Sequence, residues 1–90
     1  MIILCYDISN DKLRTQFSKF LSKFGYRIQY SVFEIENSDR ILNNVLTEIK
    51  VKFEKRFSES DSVMIFKLSE TCKIIKIGYA KHEDDSIIIV

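Results

Sequence analysis

Residues 26–36 constrain this chain more than any other stretch, because their apolar pattern changes phase halfway along. Apolar side chains alternate through Ile28, Tyr30 and Val32, then shift to Phe33 and Ile35. One straight strand cannot carry both sets on one face, since successive side chains point to opposite sides of a sheet. The pattern predicts a break at Tyr30 and Ser31. A helical segment is predicted on either side of this stretch. In residues 10–24, Leu13, Phe17, Phe20, Leu21 and Phe24 form one apolar stripe. Ser9 or Asn10 can cap its start, and Gly25 suits a left-handed position at its end. In residues 38–56 the stripe is Ile41, Leu42, Val45, Leu46, Ile49 and Phe53, with Ser38 as cap.

The strands follow from the remaining apolar runs: 1–8, apolar in both phases as in a central strand, 62–68, 74–79 and, after a polar linker over 81–85, a terminal strand over 86–90. Were 26–36 one strand, the order would be βαβαβ. Its parallel sheet would need helices on both faces, which two short helices barely supply. Folding back at Tyr30 and Ser31 gives βαββαβ, an α+β ferredoxin-like sandwich with both helices on one side of a four-stranded antiparallel sheet. We prefer the second order, although Tyr-Ser is not a favoured pair for a two-residue hairpin turn.

That arrangement leaves one apolar sheet face uncovered and gives the terminal strand no obvious place within the domain. A second copy answers both, with the sheets packed face to face and each terminal strand exchanged onto the partner's sheet edge. A single domain of 90 residues buries a modest share of its surface, so a homodimer is a natural way to add more. No apolar run approaches the ~20 residues of a membrane span. Cys5 and Cys72 are too few for a disulfide framework. These features point to the cytoplasm and to no membrane.

The net charge is only +1, but it is unevenly spread. Lys12, Arg14, Lys19, Lys23 and Arg27 occur between residues 12 and 33 without an acid among them, leaving the rest of the chain net negative. This is either a solvated helix face or a phosphate-binding surface. Lys12, Arg14, Lys19 and Arg27 are the candidate nucleic-acid contacts, with Lys67, Lys73 and Lys76 as further cations. Asp7 ends the apolar first strand, where a carboxylate is costly unless paired, hydrogen-bonded or metal-bound. It reads either as part of the turn before the first helix or as a ligand for a hard cation such as Mg²⁺ or Mn²⁺, shared between the two Asp7 of a dimer. His82, the sole histidine, sits in the charged linker and receives no catalytic role. Zinc lacks ligands, and no phosphate-binding glycine loop exists.

Tyr6-Asp7-Ile8-Ser9, a basic helix and Arg27-Ile28-Gln29-Tyr30-Ser31-Val32-Phe33-Glu34 together resemble the small CRISPR-associated adaptation protein, the non-integrase partner in spacer acquisition, often described as an endoribonuclease. The resemblance extends through Asp61-Ser62-Val63, Cys72-Lys73 and the tail. It implies a ferredoxin-like homodimer with an exchanged C-terminal strand, flanked by two CRISPR integrase dimers and holding protospacer DNA, with RNA as a further substrate. It also implies a metal-dependent endonuclease site in which Asp7 holds the metal, with Tyr6, Arg14, Arg27 and Phe33 around it. Many members carry paired arginines where this chain has Tyr26-Arg27, which weakens the expected phosphate grip. An mRNA-cleaving toxin of the virulence-associated D type, similar in fold, is the alternative.

Overall fold

The computed structural model describes residues 1–78 and 88–89. Strand β1 (Ile2–Asp7) leads into helix α1 (Asp11–Leu21), strands β2 (Gly25–Gln29) and β3 (Val32–Ile35), helix α2 (Asp39–Glu48) and strand β4 (Ser62–Lys67). The sheet order is β2-β3-β1-β4 with every neighbouring pair antiparallel. This is the βαββαβ arrangement expected from the phase shift.

The shift is resolved by a turn at Tyr30 and Ser31 together with a bulge. Arg27 pairs with Phe33, but Gln29 rather than Ile28 pairs with Val32. No residue other than glycine has positive φ among the described residues, so the turn does not use the mirror-image geometry that Tyr-Ser disfavours. The extra residue in β2 takes up the mismatch instead.

Both caps form. The Asn10 side chain accepts from the Leu13 N–H at 2.8 Å, and Ser38 Oγ from the Ile41 N–H at 3.3 Å. Helix α1 stops at Leu21, a turn short of the expected 24, and its Ser22 cap is right-handed. Gly25 therefore does not end the helix in a left-handed conformation. It opens β2 where the backbone of β3 leaves no room: a Cβ there would lie 1.9 Å from the Glu34 carbonyl oxygen. The second helical segment spans the expected residues but changes its winding. A π turn over Ile49–Phe53 and a 3₁₀ turn over Glu54–Arg56 follow α2.

The helices cover one sheet face. Ile2, Leu4, Tyr6 and Ile8 of the first strand and its exit pack with Leu13, Phe17, Phe20, Leu21, Phe33, Ile35 and the buried face of the second helical segment. Phe17 is the hub, with rings of Tyr6, Phe20, Phe53 and Phe57 around it. The opposite face carries a smaller cluster, Ile3 and Ile28, with Cys5, Val32, Leu68 and Ile74 against it. There Met64 and Phe66 remain exposed, as do Ile75 and Ile77 beyond the sheet.

Strand β5 (Ile75–Lys76), shorter than the expected 74–79, pairs in parallel with β6 (Ile88–Ile89) in a separate two-stranded sheet. Within this single chain the terminal strand thus meets β5 rather than a sheet edge. The linker over 81–85, His82 and the rest of the expected terminal strand lie outside the described residues.

Candidate nucleic-acid interface and carboxylate site

Tyr6 and Asp7 are consecutive, and that alone separates them. Side chains alternate along β1, so Tyr6 enters the helix-side core while Asp7 goes to the open side. Tyr6 packs edge-on against Phe17 at 5.1 Å, and its hydroxyl donates to the Tyr30 carbonyl at 3.3 Å. It cannot orient Asp7. Phe33 is 1% exposed and belongs to the same core. Its role is to floor Arg27, whose guanidinium carbon lies 5.5 Å from the ring centroid.

Two arginines meet above this core. Arg14 Nη1 donates to the Ile8 carbonyl at 3.0 Å, Nη2 pairs with Asp11, and the guanidinium sits 5.8 Å from the Tyr30 ring. The hydrogen bond to Asp11, aided by the Tyr30 phenol, raises the Arg14 pKa above its ordinary value. Arg27 reaches across from β2 to donate to Ser18 Oγ. Arg14, Arg27, Tyr6, Thr15, Ser18 and Tyr30 line a cavity of about 240 Å³. Lys12 and Lys19 are on α1, seven residues apart and so on one helix face. Neither forms an ion pair among the described residues. Lys67 does, with Asp39 at 2.9 Å, which sets it apart from the α1 cations.

Asp7 is exposed, so burial imposes no cost on its charge, contrary to the expectation from its apolar neighbours. It stands opposite Ser62 of β4 and does not line the arginine cavity. The neighbouring Asp61 is committed elsewhere. Its Oδ1 accepts from the Ser9 N–H and hydroxyl, and its Oδ2 from the Ser58 N–H. These bonds, the Ser58 backbone first, lower its pKa below the usual 3.8. Asp61 thus ties the β1–α1 loop to the start of β4 and holds the backbone just beyond Asp7. Among the described residues no three of His, Cys, Asp and Glu come together to hold a metal. Among the described residues, Asp7 is the carboxylate at this corner that no hydrogen bond or ion pair takes up.

A depressed carboxylate pKa stabilises the fold above the unfolded value and loses that contribution as pH falls through the folded value. Asp61→Asn should therefore be less stable than wild type at pH 7, and the gap should close below about pH 3.8. Urea midpoints at neutral and acid pH check this; a gap independent of pH would show that the Asp61 charge is not what ties the loop.

The profile of the family described as "CRISPR associated protein Cas2" matches residues 1–74. The chain belongs to the Cas2 family. It is 31% identical to the CRISPR-associated endoribonuclease Cas2 2 of Methanospirillum hungatei, over 98% of this chain and 97% of that protein. It is also 31% identical to the Cas2 4 endoribonuclease of Rhodospirillum rubrum, over 78% of this chain but 54% of that longer relative. The Cas2 fold recurs in the solved Streptococcus pyogenes Cas2, with a TM-score of 0.64 at 19% identity over 78% of this chain and 87% of that one. A hypothetical protein from Thermus thermophilus superposes with a TM-score of 0.70 at 23% identity, over 88% and 93% of the two chains. Within this Cas2 chain, the residues expected as one site divide into two: Arg14 and Arg27 over Tyr6 and Phe33 on the helix side, and Asp7 on the other. Tyr30 and Ser18 complete the first group, and no motif assigns either of them to it. The available signal is an aromatic at a turn inside an acid-free basic stretch.

Proposed function

We propose that this Cas2-family chain is a cytoplasmic homodimeric scaffold in CRISPR spacer acquisition, holding protospacer DNA between integrase dimers. The observation that supports it is the division of the sheet into a helix-covered side with exposed cations and an open apolar side ending in Asp7. Met64 and Phe66 are 56% and 42% exposed on that open side, enough to favour a second copy packed against them. The outer edge of β4 has no strand partner among the described residues, which leaves it available for an exchanged terminal strand. Lys12, Lys19, Arg14 and Arg27 remain on the outer, helix-covered side, where they can meet phosphates without regard to sequence.

Face-to-face packing would also bring two copies of Asp7 toward each other. A single carboxylate is a poor Mg²⁺ site, whereas two with water and a phosphate oxygen fit the ion's preference for oxygen ligands. Bound there, Mg²⁺ or Mn²⁺ would supply Lewis-acid polarisation of a phosphodiester and a water of lowered pKa. The relatives are named endoribonucleases, which makes RNA cleavage the natural second activity of the same dimer, with DNA as the other substrate to assay.

The decisive experiment is sedimentation together with duplex-DNA binding at several salt concentrations. Wild type should be a dimer whose affinity falls steeply with salt, and Phe66→Glu should be a folded monomer. The double variant Lys12→Gln, Lys19→Gln should flatten the salt slope by about one for each phosphate that no longer meets a cation. A monomeric wild type, or binding indifferent to salt, would sink the proposal.

A further inference from the structure

We infer that the cavity between α1 and the β2–β3 hairpin binds one phosphate monoester together with its nucleobase, as at the phosphorylated end of a nucleic-acid strand. The inference rests on the nucleic-acid reading above but concerns a place that Asp7 does not reach. Among the described residues, two guanidinium groups and no carboxylate line the cavity. Like charges held around one space repel, and an anion between them removes that cost. Both groups are already oriented by the protein: Arg14 by the Ile8 carbonyl and Asp11, Arg27 by Ser18 Oγ. Each guanidinium has five N–H donors, so each keeps unspent ones, and Ser18 retains its own hydroxyl hydrogen. Little side-chain freedom is left to lose when a phosphate enters. The Asp11 partner of Arg14 has a side chain 90% exposed, and such a pair offers weak competition to an entering dianion.

Size and shape narrow the ligand. About 240 Å³ is below the roughly 300 Å³ at which drug-sized pockets begin, so the cavity takes a phosphate and a sugar edge rather than a base pair. The base has its own platform. Tyr30 projects from the hairpin turn 69% exposed, with the Arg14 guanidinium over its ring. An unpaired base can stack on that ring, a contact every base can make. The cavity lies on the helix-covered side of the sheet, away from the open face.

The test titrates the full chain with adenosine 5′-monophosphate and, separately, inorganic phosphate, followed by amide chemical shifts. Shifts should concentrate at Arg14, Thr15, Ser18, Arg27 and Tyr30. Arg27→Gln should weaken both probes about tenfold or more. Tyr30→Ala should weaken the nucleotide about tenfold and inorganic phosphate by clearly less. Both positions are exposed, and equal unfolding midpoints will show that the variants fold. A short single strand with and without a 5′-phosphate separates strand ends from free phosphate: the phosphate should tighten binding in wild type and not in Arg27→Gln. Shifts lying elsewhere, or an Arg27→Gln chain that binds as wild type, overturn the inference. Duplex binding without any response to either probe overturns it while sparing the scaffold. Localised shifts in a chain that ignores duplex DNA uphold it and remove the scaffold.

Discussion

Phe17→Ala should lower the stability of this chain by about 3–5 kcal/mol, the usual cost of deleting a fully buried ring. Phe17 is 0% exposed, and the rings of Phe53 and Tyr6 lie 5.0 and 5.1 Å away, with those of Phe20 and Phe57 at 5.9 and 6.1 Å. These neighbours come from β1, α1, the π turn and the segment after it, so no single element can close the void. A domain of 90 residues has roughly 5–13 kcal/mol in total, and the loss is a large share of it. Urea unfolding of both proteins measures the difference. Phe24→Ala, at a half-buried position on the rim of the same core, should cost clearly less. A Phe17→Ala loss below about 1 kcal/mol would mean that the core collapses around the gap, contrary to the close packing of protein interiors.

Asp7→Asn should abolish metal-dependent cleavage of nucleic acid and leave both dimerisation and duplex binding as in wild type. Asparagine keeps the size and one acceptor oxygen but removes the negative charge that a hard cation requires. Because Asp7 is exposed and opposite Ser62 at the end of β1, the substitution leaves no buried group without a partner. Its effect on folding should stay within about 0.5 kcal/mol, as for surface changes generally. Cleavage assays with Mg²⁺, with Mn²⁺ and with a chelator, run on both proteins, give the result. Equal cleavage by Asp7→Asn would remove this carboxylate from the reaction. Equal duplex binding with no cleavage by either protein would leave the scaffold as the whole function.

The strand order and both helix caps are legible in the sequence because they depend on local pattern: the phase change after Val32, the stripes through Phe17 and Val45, and Asn10 and Ser38 before them. The winding of the second helical segment is not, because Val45, Ile49 and Phe53 fit an unbroken α-helix equally well. The π turn is seen in the structure, where the Glu54 N–H bonds to the Ile49 carbonyl five residues back. Gly25 misleads because a glycine after a helix has two explanations, and the crowding by Glu34 comes from a strand distant from the helix end. The site is half legible. Its residue types stand in the sequence, but their grouping depends on which way each side chain leaves the sheet. Tyr6 and Asp7 are neighbours in sequence and face opposite ways, while Arg14 and Arg27 are distant in sequence and share a cavity.

Cys5 gives the open sheet face a built-in reporter. Its thiol is half-buried beside Ile3 and Val32, and burial pushes its pKa up, so at neutral pH it stays protonated and reacts slowly. A second chain laid over that face would close the remaining approach. The alkylation rate of Cys5 should then fall with rising protein concentration, and assembly can be followed by mass spectrometry on the unlabelled native protein.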